Sequence, residues 1–157
     1  MKIVYSCYGG AHSSRVAAAI HLGRLPGDRP PSPRELLAVP RFDDVGSDEL
    51  GLADHIGQDA QGHDVYVMGR GPARQVAVRA LLSGFDLGGG ARDQLLIVDT
   101  LAAVNLWMRI GGFLSRRLGL VSLGRPLVVR GTIKAYADLV RLVDEAKRKI
   151  APAPGSP

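Results

Sequence analysis

A thiol, an imidazole and two hydroxyls fall within eight residues near the start of the chain: Cys7, His12, Ser13 and Ser14, with Tyr8-Gly9-Gly10-Ala11 between them. A thiolate is a nucleophile, imidazole exchanges protons near neutral pH, and hydroxyls donate to anions. The apolar run Ile3 to Tyr5 reads as a buried strand, and the two glycines permit a sharp turn. Ser13-Ser14 then opens an alanine-rich helix. A strand feeding such a turn into a helix N-terminus leaves backbone N–H groups without carbonyl partners, at the end where the helix dipole favours negative charge. The expected ligand is therefore a phosphorylated small molecule or nucleotide, held by Gly9, Gly10, Ala11, Ser13 and Ser14. His12 is then the acid/base or charge-stabilising group, and phosphoryl transfer or phosphoester hydrolysis the reaction class to test.

Known phosphate loops fit unequally. Aligned at Ser13, the Walker A pattern G-x-x-x-x-G-K-[ST] meets Ser6, Ala11 and His12 where it needs glycine, glycine and lysine. The C-x5-R loop of low-molecular-weight phosphatases begins well at Cys7 but finds Ser13 in place of its arginine, so the fixed bidentate partner of the transition state is missing. The phosphocysteine pattern of sugar-transport IIB proteins, C-x-x-G-x-x-[ST]-[ST], fits Cys7, Gly10, Ser13 and Ser14. Cys7 is thus either a phosphocarrier nucleophile or a small apolar residue ending a buried strand. A non-catalytic regulatory or interaction protein with an anion-sensing loop is the remaining alternative.

The elements that must position these groups follow from pattern. Val16, Ala19 and Ile20 give Ser14 to Leu22 one apolar face, and His21 reads as a surface residue of that helix. Gly23 to Pro33 holds four prolines and connects. Ser32-Pro33-Arg34-Glu35 spells a capping box opening a short helix that Pro40 stops. His55 to Gln58 and Asp64 to Met68 flank Asp59-Ala60-Gln61-Gly62 as a β-hairpin, whose Asp and His residues decorate an exposed turn without metal-ligand spacing. A helix follows Gly69-Arg70-Gly71-Pro72, with Ala73, Val76, Ala77, Ala80 and Leu81 as its buried stripe. Leu95 to Val98 is a strand ending at Asp99-Thr100, where Asp99 caps the next turn or, as the alternative, binds a metal ion or orients His12. A helix carrying Trp107, Met108 and Ile110 runs on to Arg116-Arg117. Pro126 to Val129 reads as the last strand, and the helix after Arg130-Gly131-Thr132 ends in Lys147-Arg148-Lys149.

This order, β-α-α-ββ-α-β-α-β-α, predicts an α/β fold: a three-layer, mainly parallel sheet with helices on both faces, Rossmann-like or P-loop-like, with one β-hairpin. Residues 1–150 form a single domain, and 151–157 a disordered tail. Ligands in open α/β sheets bind beyond the carboxyl ends of the strands. Four such ends converge if the strands are parallel, adding Arg70, Arg116 and Thr132 to the loop, with Arg70 or Arg116 as a second clamp.

Composition narrows the partners. The chain has 157 residues, a net charge of +5, and 5% aromatic residues. Basic residues are scattered, sixteen of the twenty being arginine, and base-stacking platforms are too few for nucleic-acid binding. No apolar run approaches the about 20 residues of a membrane helix. The early first strand leaves no room for a signal peptide, and the lone Cys7 suits a reducing compartment, so a cytoplasmic location is expected. Neither cofactor nor oligomeric state can be read.

With these pieces in place, the chain resembles an uncharacterised bacterial family, domain of unknown function three-one-eight-nine. The resemblance is carried by Tyr8-Gly9-Gly10-Ala11-His12-Ser13-Ser14 with Ala17-Ala18-Ala19-Ile20-His21-Leu22, and by Val65-Tyr66-Val67-Met68-Gly69-Arg70-Gly71. Gly111-Gly112-Phe113-Leu114-Ser115-Arg116-Arg117-Leu118 and Pro126-Leu127-Val128-Val129 extend it over nearly the whole chain. Family members commonly have an aromatic-Gly-Gly-Thr-His-Ser loop, from which Ala11 departs by one hydroxyl. The resemblance implies an association with spore-forming bacteria and no established activity.

Overall fold

The structure is a computed structural model that describes residues 1–105, 108, 110–113 and 121–151. Its core is a four-stranded mixed sheet in the order β2-β3-β1-β4, making the protein α/β. Strand β1 (Lys2–Cys7) lies parallel to β3 (Asp64–Gly69) on one side and to β4 (Leu95–Asp99) on the other. β2 (Ala53–Gln58) pairs antiparallel with β3, giving the expected hairpin, and Gly62 takes φ +79° in its turn. Helix α1 (Ser13–His21) packs on β1 and β3. Its Val16, Ala17 and Ala18 are fully buried, and the small alanines let the helix sit close against the sheet. Ile3 and Tyr5 face it from β1, with no exposure of either. Each such side chain contributes about 1.5–3 kcal/mol by leaving water.

The topology makes one point special. The chain leaves β1, adds β3 on one flank, then passes through α3 (Arg74–Leu87) to add β4 on the opposite flank. Strand order reverses at the carboxyl end of β1, the position at which open α/β sheets bind ligands. The loop from Cys7 to His12 emerges there.

The last predicted strand is a helix. Pro126 to Val129 lies inside α4 (Val121–Lys134), which is followed by α5 (Tyr136–Ile150) packed against α1. Gly124, Val128, Thr132 and Ala135 are buried at spacings of four, four and three, a helical period hidden by the short apolar run Leu127-Val128-Val129. Pro126 costs the helix one backbone hydrogen bond, which the burial of Val128 and Val129 offsets. Gly111 lets the helical turn at 110–113 approach this helix; a Cβ there would lie 2.7 Å from the Val128 nitrogen.

Two further expectations need correcting. No residue of α3 is buried; Ala73, Val76 and Ala80 of its predicted inner stripe are exposed, while Ala77 and Leu81 are half-buried. His21 is buried, with its ring edge-on to Tyr5. The capping box of α2 (Pro33–Leu37) forms as predicted, with the Glu35 amide donating to Ser32 Oγ at 3.2 Å and the Ser32 amide donating to Glu35 at 2.7 Å. Among the described residues no helix is long and apolar enough to cross a membrane. The tail beyond Ala151, and Trp107, Arg116 and Arg117, lie outside the described residues.

Candidate functional site

The first loop, whose Gly10, Ala11, Ser13 and Ser14 are buried, is fixed by a glycine crossing. Gly10 takes φ +72°, and a Cβ built there would meet the Gly69 nitrogen at 3.0 Å. A Cβ on Gly69 would lie 2.7 Å from the Gly9 carbonyl carbon. Two backbones therefore touch where β1 and β3 end, a contact only glycine permits. The Arg70 and Gly71 amides fasten the crossing by donating to the Cys7 and Tyr8 carbonyls at 2.9 and 2.8 Å. The Asp43 amide fixes the far side through the Ala11 carbonyl at 3.1 Å.

Within this frame the loop amides divide. The Gly10 amide donates to Cys7 Sγ at 3.1 Å. Those of Gly9, Ala11, His12, Ser13 and Ser14 meet no acceptor among the described residues, and His12 at the N-cap supplies no side-chain cap. Acidic residues are also absent from the first turn of α1. No acidic residue of the helix itself therefore offsets the positive end of its dipole.

The hydroxyls are engaged inside the protein. Ser13 Oγ lies 2.9 Å from Thr100 Oγ1, which itself donates to the Ser6 carbonyl at 3.0 Å. Ser14 Oγ lies 3.1 Å from Cys7 Sγ. Ser13, Ser14 and Thr100 are buried, so their hydroxyls lock the loop to β1 and the end of β4. Cys7 is a buried free thiol that accepts from a loop amide and contacts a hydroxyl at a helix N-terminus.

His12 meets a partner that sequence reasoning passed over. Its Nε2 lies 2.8 Å from Asp43 Oδ1, and that carboxylate is fully shielded from solvent. A carboxylate only accepts, so Nε2 carries the proton and neutral His12 presents Nδ1 as its acceptor. Arg125 Nε donates to the other carboxylate oxygen at 3.2 Å. Phe42 stacks edge-on to the imidazole at 5.6 Å, and Gly112 covers it; a Cβ at 112 would sit 3.3 Å from His12 Cε1. Arg41 and Asp43 both adopt φ +58°. Non-glycine residues pay about 1–3 kcal/mol for this backbone region, and here it turns the Asp43 carboxylate under His12. The pair is joined across thirty-one residues and an unremarkable loop, so no spacing signals it.

The other predicted residues are placed as follows. Arg70 is buried at the end of β3; its Nη2 donates to Asp99 Oδ1, and its Nε has no acceptor among the described residues. Asp99 also receives Arg74 at 3.3 Å and caps the following turn through the Leu101 amide at 3.0 Å, as expected. Arg70 follows β3 and Asp99 ends β4, on opposite flanks of β1, so their bond spans the strand end that carries the loop. Thr132, expected at a strand end, is fully buried inside α4, and its hydroxyl has no hydrogen-bond partner among the described residues. Arg116 lies outside the described residues.

A second polar cluster lies at the hairpin turn. Tyr5 Oη and His21 Nδ1 are 2.7 Å apart, His21 Nε2 is 3.0 Å from Asp59 Oδ2, and His63 Nδ1 is 2.9 Å from the same oxygen. Asp59 is thus buried rather than surface decoration. Its burial acts to raise the carboxyl, but bonds from His21, His63 and the His63 and Gln61 amides outweigh that and hold it far below the carboxylate range. Burial pushes the Tyr5 hydroxyl upward, and burial lowers His21 despite the bond to Asp59. No group of three or more His, Cys, Asp or Glu able to hold a metal occurs among the described residues.

No match is found among curated proteins or solved structures. A family model described as a protein of unknown function, DUF3189, matches residues 2–148. With that match covering nearly all of the sheet, the loop and the helices around it, the chain belongs to the DUF3189 family.

Proposed function

We propose that the loop 9–14 binds a phosphorylated small molecule or nucleotide, and that His12 serves as the acid/base group of a phosphoryl transfer or phosphoester hydrolysis. The observation that carries this reading is the set of unpaired amides at Ala11, His12, Ser13 and Ser14, gathered at a helix N-terminus on the topological switch point. An anion there replaces the missing acceptors of the first helical turn. Asp43 holds the imidazole so that Nδ1 is the basic nitrogen, and Arg70, whose Nε meets no acceptor among the described residues, is a candidate for a second clamp. The serine hydroxyls shape the loop in this reading, while the amides contact the ligand.

The test is an amide-resolved titration with inorganic phosphate, pyrophosphate and adenosine nucleotides, with and without magnesium. Shifts centred on Ala11 to Ser14 are expected, with stabilisation of about 2.7 kcal/mol at one hundred times the dissociation constant. Undisturbed amides in that stretch would overturn the proposal. His12→Ala separates enzyme from sensor: an enzyme keeps binding and loses turnover, whereas a regulatory protein shows no turnover to lose.

A second reading is favoured by the convergence of the Gly10 amide and Ser14 Oγ on Cys7 Sγ. Here His12 Nδ1 takes the Cys7 thiol proton, the thiolate attacks phosphorus to form an S–P bond as the P–O bond to the leaving group breaks, and the imidazolium returns that proton to the departing oxygen. It predicts an adduct on Cys7 visible by intact mass after incubation with a phosphodonor. Unchanged mass would dispose of it.

A further inference from the structure

A separate cavity of about 150 Å³ opens between α1, α2 and β2, away from the loop amides, lined by Arg15, Arg24, Ala38, Val39 and Ile56, with Glu35 at its wall. Arg15 stands in the first turn of α1, where the helix dipole opposes a cation. Its side chain is only 4% exposed, its Nη2 bonds Asp54 at 2.7 Å, and its Nε has no acceptor among the described residues. A buried guanidinium N–H without a partner is costly, and here it belongs to a side chain lining a void. Arg24 is set at the mouth by the bulge in β2. Its Nη2 donates to the Ile56 carbonyl at 3.0 Å, in the space that a side chain on Gly57 would fill.

Charge selects the ligand. Arg15 is balanced by Asp54, and Glu35 is bound by Arg29 at 2.6 Å and by the Ser32 amide. No carboxylate among the described residues pairs with Arg24. The cavity therefore offers one uncompensated positive charge, an orphan N–H, and walls of alanine, valine, proline and isoleucine. Its volume equals that of about five waters. We propose that this cavity binds a short aliphatic monocarboxylate of about four to six carbons, its carboxylate between Arg24 and the Arg15 Nε, its chain against Val39 and Ile56. A phosphoryl group would bring a second charge that nothing there matches, and would leave the apolar wall bare.

Titration with sodium acetate, butyrate, hexanoate and inorganic phosphate tests this, read by calorimetry and by chemical shifts at Ala19, Ala38 and Ile56. Butyrate or hexanoate should bind at least tenfold more tightly than acetate and shift these positions. Arg24→Gln removes the exposed cation and should weaken butyrate at least tenfold. Ala38→Phe, at an exposed position closing the mouth, should abolish binding. Neither variant should alter phosphate-induced shifts at Ala11 to Ser14, so loop and cavity fail or succeed separately. Absence of carboxylate binding, or butyrate binding unchanged in both variants, overturns the proposal. Phosphate competing for the same positions with equal affinity overturns the assignment of class.

Discussion

His12 and Asp43 are joined by a 2.8 Å bond between Nε2 and Oδ1, and the Asp43 amide simultaneously holds the carbonyl of Ala11. One residue thus fixes both the imidazole and the backbone beside it. Because a carboxylate accepts only, the bond selects a tautomer. Nitrogen NMR should show neutral His12 protonated at Nε2 in the wild type. Asp43→Asn should give a mixture of tautomers while far-UV circular dichroism stays unchanged. A wild-type spectrum dominated by the Nδ1–H form would contradict the arrangement.

The Gly9–Gly10/Gly69 crossing has no room for a side chain. Gly69→Ala must displace backbone, since its nearest contacts at 2.7 and 2.9 Å are the Gly9 carbonyl atoms. A cost of about 1–3 kcal/mol is expected, which for this size is a fall in Tm of roughly 3–10 °C. Phosphate-induced shifts at Ala11 to Ser14 should vanish in the same variant. Gly84→Ala, whose Cβ meets nothing within 4 Å, is the control and should change Tm little.

Stability should fall as solutions become mildly acidic, and His21 is the cause. Burial depresses its folded pKa below the ordinary 6.5, so the unfolded chain binds more protons as pH drops past that value. The contribution is complete above about pH 6.5 and is lost progressively below it. Asp59, also depressed, adds a second loss beginning near its unfolded value of about 4. Urea denaturation between pH 7.5 and 5 should show this slope, and His21→Gln should flatten its upper part. A flat wild-type profile over that range would refute the assignment.

Tyr5 anchors the same cluster. Tyr5→Phe keeps the ring in the core but leaves His21 Nδ1 buried without a partner. A loss of about 1–3 kcal/mol follows, read as a lower urea midpoint with an unchanged slope. Elsewhere, Ser32→Ala removes one half of the capping box of α2 and should cost about 1 kcal/mol.

Much of the scaffold was legible without coordinates because its signals are local. Ile3 to Tyr5, the Asp59–Gly62 turn, the Ser32–Glu35 box and the cap at Asp99 each depend on neighbours within four residues, where periodicity, φ preference and hydrogen-bond reach decide the outcome. The position of the loop, between a buried strand and an alanine-rich helix, was equally readable. The last strand failed because four consecutive residues carry no period; only the spacing of Gly124, Val128 and Thr132 along the whole helix reveals the buried face.

The amino-acid sequence by itself determined that a glycine turn would deliver bare amides at the head of α1, since chain geometry makes that so wherever the helix forms. Tertiary structure alone decided which side chains serve it. Ser13 and Ser14 were claimed by Thr100 and Cys7, and His12 by Asp43. Those contacts cross separations of 87, 7 and 31 residues. Whether such distant groups meet depends on how strands order themselves and how helices pack, which is settled by burial over the whole domain and leaves no trace in local spacing.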